Sequence, residues 1–164
     1  TGGGVDVGVQ SGVLQPGDTA GDHRALGVVG FAFDRDLQPD KTQLEGIRLR
    51  FWLEPAAGDA SALGPLIVSY LPDAEDVLDT GLLPEPPGQD VATLEDVSSS
   101  GWRDVVVTGP FLAEWNAGRN LAAFAFRFAT PTDEASDDDT VDLFPEIDGE
   151  RKRAHLVLHF AVDL

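Results

Sequence analysis

The stretch Ile47-Arg48-Leu49-Arg50-Phe51-Trp52-Leu53-Glu54 sets the strongest constraint on what this chain folds into. A period of two puts Ile47, Leu49, Phe51 and Leu53 on one face and Arg48, Arg50 and Glu54 on the other, the signature of a strand with one dry face. The same period returns near the C-terminal end, where Leu156, Leu158, Phe160, Val162 and Leu164 oppose His155, His159 and Asp163. Residues 121–129 carry an aromatic stripe of Phe124, Phe126 and Phe128. Residues 24–34 and 66–71 are apolar on both faces, as central sandwich strands are. Residues 105–108 read as a shorter strand, and 91–97 and 141–147 as weaker ones.

One short helix is expected from Pro110 to Gly118, with Phe111 and Trp115 four residues apart on one side. No other stretch has a helical period, which argues against a parallel sheet with crossover helices. The expected fold is therefore an all-β, jelly-roll-like antiparallel sandwich of about eight to nine strands with one short helix. Two segments are expected: a glycine-rich leader and exchange strand over 1–20, and the β-sandwich domain over 21–164.

Asp and Glu number 29 against 11 Lys and Arg, a formal net charge of −18. Such a surface repels phosphates, so nucleic acid and anionic membranes are poor partners. Asp accounts for 20 of the acids, while Lys41 and Lys152 are the only lysines. That composition stays hydrated in salty water, and a GC-rich genome produces the same skew. The chain holds no cysteine, hence no disulfide and no thiolate chemistry. No apolar run reaches the roughly 18 to 20 residues of a membrane-spanning helix. The chain opens Thr-Gly-Gly-Gly and contains no Met, the pattern expected of a processed protein, secreted or on the cell surface.

Gly21-Asp22-His23-Arg24-Ala25-Leu26 runs into an apolar stretch ending Phe31-Ala32-Phe33-Asp34. A Leu-Gln-Pro loop follows, then the strand at 47–53; Gly101-Trp102 later precedes a Val-rich strand ending in Thr108. The Pro110 to Trp115 turn of helix then leads to Asn120 and the Phe stripe. This order resembles DNRLRE-type domains, jelly-roll modules of secreted proteins related to carbohydrate-binding modules. The resemblance covers residues 21–164. It departs in that the eponymous run survives only as Asp22-His23-Arg24, and Glu150-Arg151-Lys152-Arg153 replaces the family's Pro before the closing strand.

Catalytic constellations do not emerge from the residues. His155 and His159 lie four apart on a strand, about 13 Å, too far to grip one metal from that strand. Ser98-Ser99-Ser100-Gly101 is a polar loop and not a nucleophile elbow. The chain is expected not to be an enzyme. Calcium is the one cofactor considered: residues 133–142 offer Asp137, Asp138, Asp139 and Asp142, without EF-hand spacing, and the alternative is a solvated acidic loop. Trp52 lies on the polar side of its strand, either as a carbohydrate-stacking residue or buried under a loop. Trp102 and Trp115 are expected to pack at the core edge around the helix.

Val5, Val7 and Val9 alternate with Asp6 and Gly8 behind a triglycine. They form either an ordinary first strand or one that inserts into a neighbour's open sheet edge. The function expected is a non-catalytic extracellular structural or adhesive subunit, self-assembling by N-terminal strand addition with copies of itself. The alternative is a carbohydrate-binding module recognising an extracellular polysaccharide.

Overall fold

The computed structural model of the chain describes residues 7–8, 14–19, 23–32, 42–72, 74, 88–131, 137–144 and 146–162. The strands are β1 (Val7–Gly8), β2 (Gly17–Thr19), β3 (His23–Ala32), β4 (Thr42–Ala57), β5 (Leu66–Leu71), β6 (Gln89–Leu94) and β7 (Gly101–Val106). After the helix α1 (Thr108–Asn116) come β8 (Leu121–Phe128), β9 (Asp139–Leu143), β10 (Glu146–Ile147), β11 (Glu150–Arg151) and β12 (His155–Val162). The fold is an all-β, mostly antiparallel, jelly-roll-like sandwich, as the alternation predicts. Its main sheet runs β12-β4-β9-β2-β3-β8-β5-β6, eight strands along the path, with β1 on β3 and β7 on β4 beside it.

The spine is β4. Its first half pairs with β12 from Thr42 to Arg50, and its last residues pair with β9 from Leu53 to Ala57. Because Arg48 to Arg50 also pair with β7, that strand flanks the opposite edge. The register of β4 against β9 shifts between Pro55 and Ala57, where a proline cannot donate to the ladder. On the far side of the sandwich, β8 lies between β3 and β5. Short β2 joins the halves by pairing with β9 and with β3.

The core forms where the two inner faces meet. Ile47, Leu49, Phe51 and Leu53 are fully buried and face Phe124, Phe126 and Phe128, the stripe expected from the sequence. Phe51, Phe126 and Phe144 contact one another edge to face, with ring centroids 5.0, 6.0 and 6.4 Å apart. The T-shaped arrangement sets positive ring edges against negative faces and adds to the gain from burial. Val28, Leu71, Ala74, Ala123 and Ala125 make a second buried cluster on the other face of the β3-β8-β5 layer.

The helix starts two residues before Pro110 and ends before Gly118, whose φ of 81° suits glycine. Thr108 Oγ1 accepts the Ile47 N–H at 3.0 Å and ties the helix start to β4. Phe111 and Trp115 are buried and stack 6.3 Å apart. The leader expected over 1–20 contributes to the sandwich through Leu14, a core residue that pairs with Leu143, and through β2.

Candidate functional site

Two surfaces stand out, an open sheet edge and a sheet face. The edge belongs to β3. Gly27 pairs with Phe126 of β8 and also, in parallel, with Gly8 of β1, so β1 flanks the edge of β3 opposite β8. There β1 covers only Leu26 and Gly27. Val28 to Ala32 are paired with β8 alone among the described residues. Each second backbone group along an unpaired edge is left to be satisfied by another partner, which makes such an edge a template for an added strand. The neighbouring side chains are apolar: Val28 and Val29 are buried, and Phe31 packs half-buried against the core. Of the three valines expected to exchange, Val7 has its backbone paired with Leu26 of its own chain. Val5 and Val9 lie outside the described residues.

The face is the outer surface of β7, β4 and β12. Cross-strand register stacks its side chains in rows. Trp52 lies opposite Trp102, Arg50 between Asp104 and His155, and Arg48 between Val106 and Val157. The indoles of Trp52 and Trp102 meet edge to face, centroids 5.6 Å apart at 86°. Arg50 Cζ lies 5.1 Å from the Trp102 ring centroid, a cation–π distance, and the His155 ring is 6.0 Å away. Trp52 is therefore half-buried against a second tryptophan, on the outer face as its position in the alternation requires. Its indole N–H is buried and without a hydrogen-bond partner.

Trp102 corrects the sequence reading. It packs on the outer face with Trp52 and not at the core edge around the helix, where Trp115 does lie. The strand begins at Gly101, earlier than the Val run suggests, and this brings Trp102, Asp104 and Val106 onto the wet side. The signal was present as the alternation of Arg103 and Val105 with those three, but Arg103 at an inward position hid it. Arg103 lies at the sandwich rim, where its guanidinium donates to the Ser99 carbonyl at 2.6 Å. That bond fastens the 96–99 turn leading into Trp102. Asp96 accepts from the Ser98 and Ser99 hydroxyls in the same turn, and those bonds, Ser99 first, hold its carboxyl below the ordinary value.

The acidic residues proposed from sequence for calcium divide. Asp138 and Asp142 line a polar cleft of about 460 Å³ together with Gln15 and Glu54. Asp142 accepts from Gln15 Nε2 at 2.7 Å. Asp139 is buried and accepts the Asp59 N–H, so its carboxylate serves the fold. Asp137 is exposed. Among the described residues no three His, Cys, Asp or Glu side chains converge as a metal site does. None of the described helices is long and apolar enough to cross a membrane.

No family model matches the chain, and no curated protein matches it at a significant level.

Proposed function

We propose that this chain is a non-catalytic extracellular structural subunit that joins to copies of itself by strand addition at the β3 edge. The observation that carries the reading is the two-residue parallel strand β1 against Leu26 and Gly27, at an edge left open from Val28 to Ala32 among the described residues. A parallel partner does not come from a hairpin, so the pairing segment has to approach along the sheet from elsewhere. The same main-chain groups are satisfied whether residues 5–9 come from this chain or from a neighbour. In the second case each subunit closes the edge of the next, and the contact repeats without closing on itself. Burying an additional valine contributes roughly 1.5 kcal/mol, so Val5, Val7 and Val9 together make a substantial latch.

Electron microscopy and sedimentation velocity of the full chain test this. The expected result is filaments, or a ladder of oligomers, that vanish when residues 1–10 are removed. A synthetic peptide of those ten residues should then bind the truncated protein. Unchanged assembly after the truncation overturns the proposal.

A further inference from the structure

The outer face of β7, β4 and β12 has a composition unlike the rest of this acidic surface. Val106 and Val157, 60% and 36% exposed, are the exposed large apolar side chains among the described residues, and both flank Arg48. Next to them come the Trp52–Trp102 pair, exposed Arg50 and exposed His155. Among the described residues neither Arg48 nor Arg50 forms an ion pair, and the carboxylate that shares their rows is Asp104. Tryptophan and arginine enriched over Asp, Glu and Lys is the composition of a protein–protein interface core. Flat sugar stacking fits less well, because the Trp102 ring lies beneath Arg50 and meets the edge of Trp52.

We propose that this face is a second contact between copies of the chain, receiving a carboxylate-bearing stretch of a neighbour's surface. Charge complementarity selects the occupant: two unpaired arginines on one small face meet a surface that supplies 29 carboxylates per copy. The face does not pair with itself, since that would set Arg48 and Arg50 against their own images. The contact is therefore heterologous and extends sideways. It deepens the assembly reading and rests on it for the local concentration of copies, which strand addition raises. Salt has a definite sign here. The overall charge of −18 keeps copies apart at low salt, and screening over about 10 Å at 0.1 M removes that long-range term while the apolar part of the contact persists.

The test uses the full chain with V106D, the double variant R48E/R50E, and V7P, which removes a ladder N–H from β1. Val106, Arg48 and Arg50 are exposed, so these variants keep the wild-type melting temperature. Across a sodium chloride series, wild-type filaments should bundle as salt rises, and V106D and R48E/R50E should leave single filaments with bundling reduced at least tenfold. V7P should lose the filaments yet keep small salt-promoted oligomers that adding V106D dissolves. Bundling unaffected by both face variants overturns the proposal, as does a wild type that stays monomeric throughout the series. Loss of retention on an alginate column in the face variants, with association unchanged, overturns it in favour of a glycan site. Filaments that survive V7P count against the strand latch alone, because the face variants are read separately.

Discussion

Phe144 sits at φ 63°, the left-handed region that a bulky side chain rarely adopts. Such a backbone costs on the order of 1 to 3 kcal/mol. It is held because the ring, 7% exposed, closes the edge-to-face set with Phe51 and Phe126, and because the Phe144 N–H bonds the Trp52 carbonyl at 3.2 Å. Phe126 is fully buried at the centre of that set. Replacing it, Phe126→Ala, removes the ring from both partners and leaves a cavity, for an expected loss of about 3 to 5 kcal/mol. Urea unfolding should show this as a lower midpoint with unchanged slope; a loss below about 1 kcal/mol would mean that the site collapses around the gap. The alternation of residues 47–54 and the Phe stripe made the inward direction of Phe51 and Phe126 readable. Phe144 was not, because its direction comes from a turn whose backbone is fixed by Trp52, a residue remote in sequence.

The seam between β2 and β9 decides whether the two layers form one domain. Gly17 has φ 153°, and a Cβ there would overlap the Asp139 carbonyl, so a glycine is required where the strands cross. Gly17→Ala is expected to cost more than about 1 kcal/mol, because its backbone and its surroundings both reject the methyl. Hydrogen exchange should locate the damage: the amides of Val141 and Leu143, which bond to Pro16 and Leu14, should exchange faster than those of β8. Equal acceleration everywhere would show that the seam has no separate stability. From the sequence this segment belonged to a glycine-rich leader. A strand of three residues carries too little alternation to register, and its partners lie more than a hundred positions away.

At the scale of the molecule, charge is the dominant quantity. Eighteen net negative charges on a 17.4 kDa chain repel one another in the folded state, and salt weakens that repulsion. The melting temperature should rise between low and high sodium chloride, measured by calorimetry below the concentration at which copies associate. A flat or falling curve would show that local ion pairs, such as Arg127 with Asp90 at 2.9 Å, outweigh the net charge. The same imbalance gives the outer face of β7, β4 and β12 its meaning, since two arginines without partners stand out where carboxylates are nearly three times as numerous as cations.

Alternation by itself determined the fold class, the burial of Ile47, Leu49, Phe51 and Leu53, and the single helix with Phe111 and Trp115 inward. These are local matters: a period of two or of about 3.6 fixes which side chains share a face before any partner is chosen. What the tertiary structure alone decided is which faces and edges meet. That Trp102 lies across from Trp52, that Arg48 stands between two exposed valines, and that β1 meets β3 in parallel all depend on register between distant strands. A slip of one residue would invert every one of these neighbours, and that register is set by the packing of the whole core.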